Sequence, residues 1–243
     1  MAQINVSVFN QSKAVSDGDV SNAVAALKVQ LARDFNPVWG LDAAVDFYPA
    51  NQVPAGTWQL GVFDDSDQAG ALGYHDVTED DLPIGKAFAG TDLQYKSSWT
   101  VTMSHELLEM LVDPGINLSA SAPLDRTLRF YAYEVCDACE DDQYGYMINV
   151  NNTDILVSDF VYPAWFEYYR QPNSTQFDFQ KKITQPFDLL SNGYISVLDL
   201  DAGVGWTNLD GNQAAAKITS RGQVGSRRER RRTNHNLWLR SRQ

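Results

Sequence analysis

The stretch Met103-Ser104-His105-Glu106-Leu107-Leu108-Glu109-Met110-Leu111 decides how this chain is read. A helix is expected from about Thr100 to Val112, anchored in a core by Leu107, Leu108 and Leu111 and closed by Asp113-Pro114-Gly115. On such a helix His105 and Glu109 stand four apart, so both side chains project from one face, the spacing with which a helix chelates a single metal ion. Glu106 lies about 100° around the helix from His105, near enough in motifs of this kind to act as general base on a water held by that metal.

The elements before this helix set its frame. Ile4, Val6 and Val8 alternate with polar residues and predict a strand. Ser16 to Asp19 offers a capping box ahead of Val20, Val24, Leu27, Leu31 and Phe35, which recur at helical spacing. Asn36-Pro37 is expected to stop that helix before a strand near Ala43 to Tyr48, giving a β-α-β opening. Trp58, Leu60 and Val62 mark a third strand, which runs into the acidic loop Asp64-Asp65-Ser66-Asp67, read as a solvated turn. Ala71 to Asp76 is a short extended piece, and Gly85 to Ala89 a further brief strand leading through Ser97-Ser98 into the helix.

After residue 115 the pattern weakens. Leu128 to Val135 fits strand or helix, and Tyr146 to Val150 with Ile155 to Phe160 reads as a hairpin around Asn151-Asn152. Tyr194 to Leu200 reads as a last strand, and the run Tyr162 to Tyr169 is aromatic without a clear role beyond packing. The expected organisation is therefore an N-terminal lobe over 1–115 and a smaller, irregular, β-rich C-terminal lobe over 116–220 that completes the site. A basic and flexible tail over 221–243 follows.

The helix motif, His-Glu-x-x-Glu, resembles the active-site helix of the zincin metallopeptidases, whose motif is His-Glu-x-x-His. The order of elements resembles theirs as well. A strand, a long helix, further strands and an edge strand precede the metal helix, with Ala71 to Asp76 in the place of the edge strand that holds an extended substrate by β-addition. The chain also resembles a group of uncharacterised bacterial proteins. Gly70-Ala71-Leu72-Gly73-Tyr74-His75-Asp76, Ser104 to Pro114 and Val157-Ser158-Asp159-Phe160 carry that likeness, which spans most of residues 3 to 200. The likeness to the bacterial group implies no established activity; the zincin resemblance implies a mixed α/β (α+β) fold with a twisted sheet, and a zinc-dependent peptidase activity.

The departure is Glu109, which replaces the second histidine. The chain holds only three histidines, and His235 lies in the tail, so the body cannot build a three-histidine site. Metal would be held mainly by carboxylates. Gly115 stands where a metzincin would place its third ligand and has no side chain, whereas a downstream glutamate of the gluzincin kind fits Glu134. Asp137, Glu140 and Asp113 are the alternatives. With His105, Glu109 and Glu134 as ligands a fourth position stays open for water. Two ligating carboxylates cancel the charge of Zn²⁺ and acidify that water less than three histidines do. An oxygen-rich set also admits Mn²⁺ or Ca²⁺. His75, on the expected edge strand, is a candidate to assist Glu106 in catalysis.

Composition bounds the reading. The formal charge is -12, yet eight of the nineteen Lys and Arg residues lie in 221–243; the first 220 residues, with eleven basic against thirty acidic side chains, carry about -19. Such a body repels nucleic acid and anionic membranes and suits a cation. The tail, with Ser226-Arg227-Arg228-Glu229-Arg230-Arg231-Arg232, is the part expected to contact nucleic acid or an acidic partner. No run approaches the roughly 20 apolar residues of a spanning helix, and Met1 to Val6 shows no export leader. A cytoplasmic location is the default, with export by another route left open. Cys136 and Cys139 are the only cysteines, read as small residues beside the site, able to bridge under oxidising conditions. The leading expectation is thus a metal-dependent hydrolase acting on a peptide or protein. Its rival is a non-catalytic binding or assembly protein on the same scaffold, docking through its tail.

Overall fold

A computed structural model describes residues 3–68, 71–124, 127–203 and 205–212. Strand β1 (Ile4–Asn10) buries Val6, Ser7, Val8 and Phe9 in succession: Val6 and Val8 enter the main apolar cluster, Ser7 hydrogen-bonds to Thr57, and Phe9 packs on Phe63. Helix α1 (Asp17–Val29) starts at the expected capping box: Ser16 Oγ accepts from the Asp19 N–H, and the Asp19 carboxylate accepts from the Ser16 N–H. The helix does not stop at Asn36-Pro37. It passes through a π-helical segment, Gln30–Phe35, into the short α2 (Asn36–Trp39), where Pro37 occupies the first turn. The Asn36 N–H still donates to the Leu31 carbonyl, and Pro37, which has no N–H to donate, follows it just before the run ends. Gly40, in the left-handed region with φ 67°, ends the run.

Strands β2 (Ala43–Phe47), β3 (Trp58–Phe63), β4 (Gly73–Val77) and β5 (Pro83–Phe88) complete a five-stranded sheet in the order β2-β1-β3-β5-β4. All neighbours are parallel except β4, which pairs antiparallel with β5 at the sheet edge, His75 opposite Gly85. A short helix that the sequence pattern does not disclose, α3 (Ala89–Tyr95), leads to α4 (Trp99–Val112), which packs on β4 and β5.

Beyond α4, strands β6 (Ser119–Leu124) and β7 (Thr127–Ala132) form a hairpin. Strands β8 (Tyr146–Val150) and β9 (Thr153–Val157) form the expected second one, turning through Asn151 and Asn152 at φ 51° and 59°. Those left-handed angles are the ones a two-residue hairpin turn requires and asparagine tolerates. Strands β10 (Tyr194–Asp199) and β11 (Trp206–Asp210) join the first hairpin in a four-stranded antiparallel sheet, β11-β10-β7-β6. The architecture is mixed α/β of the α+β kind. One buried apolar cluster links both halves of the chain, from Val6 and Leu60 through Leu107 and Leu108 to Ile195 and Val197. The aromatic run contributes to it: Trp165 and Phe166 are buried, and Phe166 stacks on Tyr133 with ring centroids 4.0 Å apart. Among the described residues no helix is long and apolar enough to cross a membrane. The basic tail, including His235, lies outside the described residues.

Candidate metal centre

Every polar residue of the motif faces inward. Ser104, His105, Glu106 and Glu109 are all buried, although the helix also buries Met103, Leu107, Leu108, Met110 and Leu111. A helix buried on all sides needs its polar groups satisfied inside the protein. For Ser104 this is a closed ring of hydrogen bonds: its Oγ donates to Gln30 Oε1 at 2.8 Å, Gln30 Nε2 donates to the Ser158 carbonyl at 2.9 Å, and the Ser158 N–H donates back to Ser104 Oγ at 3.1 Å. Gln30 opens the π-helical segment after α1, a feature often found at functional sites. The ring ties α4 to that segment and to the end of β9, one residue before His105.

His105 Nε2 lies 3.2 Å from Glu109 Oε2 and 3.3 Å from Asp137 Oδ1. Asp137 sits on a one-turn 3-10 helix, Asp137–Cys139, just after β7. Glu109 is fixed from that same turn, because its Oε1 accepts the Cys136 N–H at 3.0 Å. Zn²⁺ binds nitrogen and oxygen at about 2.0–2.2 Å, which places neighbouring tetrahedral ligands about 3.3 Å apart. The two separations from His105 already have that length and all three donor atoms lie within 4.8 Å of one another, so the residues fit a metal ion.

The electrostatics of the metal-free group agree. Burial disfavours the His105 imidazolium, yet the Glu109 charge, with hydrogen bonds to Asp137 and Glu109, outweighs it and holds the pKa well above the ordinary histidine value. Burial pushes the Glu109 carboxyl up, and the His105 charge more than reverses this, to about 2. Burial and then the Glu109 charge raise Asp137 to about 6, against a hydrogen bond from His105. A positive charge is thus favoured between the two carboxylates.

The other expected residues fall into place around this group. Glu134 meets His75 instead of His105: His75 Nε2 is 3.8 Å from Glu134 Oε2, and its Nδ1 is 3.4 Å from Glu106 and 3.8 Å from Glu109. His75 is wholly buried, beneath Glu106, while its neighbour Tyr74 lines the cleft. Asp113 is occupied at the helix end, where its carboxylate accepts the N–H groups of Asn117 and Leu118. Glu140 lines the cleft, and burial followed by the Asp137 charge pushes its pKa up to about 8. Cys136 and Cys139 are free and buried, and burial raises both thiols well above their usual range. Buried thiols of that kind are inert.

A cleft of about 810 Å³ opens over His105 and Glu106, walled on one side by Ala71, Leu72, Gly73 and Tyr74 of the β4 edge. Across from it stand Asp141, Asp142 and Tyr194. Tyr194 is a residue the sequence did not single out. Its hydroxyl hydrogen-bonds to Asp137, and burial followed by the Asp137 charge keeps it protonated. Only the pairing of β10 with β7 brings it to the site, so no local spacing signals it.

Comparison of the chain with protein-family models, with curated proteins and with solved structures finds no match. What the protein does has to be read from the site itself.

Proposed function

We propose that the protein is a metal-dependent hydrolase of the zincin type, acting on an extended peptide laid along the edge strand β4. The observation that carries this reading is the convergence of His105, Glu109 and Asp137, at 3.2 and 3.3 Å, beneath a cleft that His105 and Glu106 line and whose wall is formed by the start of the edge strand β4. These three residues would hold the ion, Zn²⁺ by the resemblance of the motif, with Mn²⁺ as the alternative an oxygen-rich set admits. When bound, such an ion polarises a carbonyl and lowers the pKa of water.

The protein's own groups supply the rest. Glu106 reaches the cleft from the turn next to His105 and is the carboxylate placed to take a proton from the attacking water. Tyr194, held protonated, donates a hydrogen bond from its hydroxyl to Asp137 and so orients that carboxylate. Backbone groups of the β4 edge provide the hydrogen bonds of an added strand. Asp141 and Asp142 in the cleft wall favour a substrate with basic side chains over an acidic one.

A second reading draws on the same distances: His105 as an imidazolium between Glu109 and Asp137 in a binding protein that carries no metal. Glu106→Gln and His105→Ala separate the two. For the hydrolase, Glu106→Gln retains metal and loses cleavage of a library of basic peptides, and His105→Ala loses both. Wild-type protein that takes up no Zn²⁺, Mn²⁺ or Ca²⁺ supports the metal-free reading.

A further inference from the structure

Glu109 belongs to two groups of potential ligands. Besides His105, Glu109 and Asp137, the residues His75, Glu109 and Glu134 bring one donor atom each within 4.8 Å of one another, all three buried. We propose that the centre is dinuclear, with a second divalent metal position formed by His75 and Glu134 and with Glu109 as the carboxylate common to both. This rests on the metal reading of the first position and extends it.

Geometry makes Glu109 the shared group. Its Oε2 lies within reach of both histidines, 3.2 Å from His105 Nε2 and 3.8 Å from His75 Nδ1, the latter also 3.4 Å from Glu106. The two histidines come from different elements, α4 and the edge strand β4, and approach that oxygen separately. Carboxylate-bridged pairs of this kind hold metals about 3.5–4 Å apart in many hydrolases.

Charge points the same way. Among the described residues nine carboxylates are buried, and no Lys or Arg is. Four of them, Glu106, Glu109, Glu134 and Asp137, crowd about two imidazoles. Buried carboxylates persist as anions only beside compensating positive charge. One divalent ion leaves this set two charges short of neutrality with both imidazoles neutral; two divalent ions cancel it. The strand register brings helix and sheet close at the same point, since the residue opposite His75 is Gly85, where a Cβ would stand 2.8 Å from Leu60 Cδ1 and 3.6 Å from Glu106 Cβ.

The test is the metal content of the full chain after loading with Mn²⁺ and removal of free ion, read by elemental mass spectrometry with electron paramagnetic resonance of the same samples. Wild type is expected to hold two equivalents with an exchange-coupled signal, and His75→Ala and Glu134→Gln one equivalent with an uncoupled signal. Circular dichroism checks that the variants fold; if His75→Ala does not, the wild-type stoichiometry and coupling decide alone. One uncoupled equivalent in wild type, unchanged in Glu134→Gln, overturns the second position and leaves the hydrolase reading intact. Two equivalents that survive both substitutions overturn the assignment of His75 and Glu134. No metal in wild type removes both readings.

Discussion

Glu109 Oε2 lies 3.2 Å from His105 Nε2, one helical turn away, and 3.8 Å from His75 Nδ1, on a strand more than thirty residues earlier in the chain. A single buried oxygen therefore joins α4 to the sheet edge. Its loss leaves two buried imidazoles without their common anion, and breaking a buried ionic pair costs about 3–5 kcal/mol. Glu109→Ala is expected to lower the unfolding free energy of the metal-free protein by about 3 kcal/mol, measured by urea denaturation in the presence of a chelator. An unchanged midpoint would mean that Glu109 does not tie the two elements together.

Gly73 sets how closely the edge strand approaches the helix. A Cβ there would stand 2.6 Å from Thr102 Cγ2 and 2.8 Å from Glu106 Oε1. Gly73→Ala must displace the carboxylate that the proposed mechanism uses as base. Because misplacing a catalytic group by about 1 Å costs on the order of 10²-fold, kcat/KM is expected to fall by about that factor with metal content unchanged. Full activity in Gly73→Ala would remove Glu106 from the role of base.

The ring of Ser104, Gln30 and Ser158 makes a prediction about stability. Ser104→Ala leaves Gln30 Oε1 and the Ser158 N–H without the partner that now serves both. The expected cost is about 1–3 kcal/mol, with Tm falling by roughly 2–4 °C for each kcal/mol in a protein of this size. Thermal melting with metal bound and with metal removed checks this, and both forms should shift alike.

Asp92 contributes to the pH dependence of stability. It is fully buried; burial raises its pKa from 3.8 to about 7, although the Thr102 hydroxyl donates to Oδ1 at 3.0 Å. The folded state keeps a proton that the unfolded chain has already released, so the contribution to stability is complete below about pH 4 and is lost as pH rises to about 7. Asp92→Asn cannot ionise. It is expected to raise Tm above pH 7 by a few degrees and to flatten the fall of Tm between pH 4 and 7 relative to wild type. A constant difference between variant and wild type across that range would count against a protonated Asp92.

Local rules were enough for part of this protein. Helical periodicity together with Asp113-Pro114-Gly115 placed α4 and put His105 and Glu109 on one face, because positions four apart on a helix meet whatever surrounds them. The Ser16–Asp19 capping box and the Asn151-Asn152 turn were legible for the same reason: each is satisfied within a few residues. Pro37 misled because the helical run carries on through the π-helical segment and past the proline, which falls just before its end at Trp39. Strands β6 and β11 carry no strong alternation and exist by pairing with β7 and β10.

The sequence by itself thus determined the helix that carries His105 and Glu109, most of the strands before it and the acidic body, all matters of period, local hydrogen bonding and composition. Which carboxylate joins which histidine was decided only by tertiary structure. Glu134 and Asp137 are three residues apart, but the chain turns between them, and the Cys136 N–H grips Glu109 at that turn; one carboxylate is sent to His75 and the other to His105. Such a choice depends on distances between elements separated by tens of residues, which packing sets and which no spacing in the chain encodes.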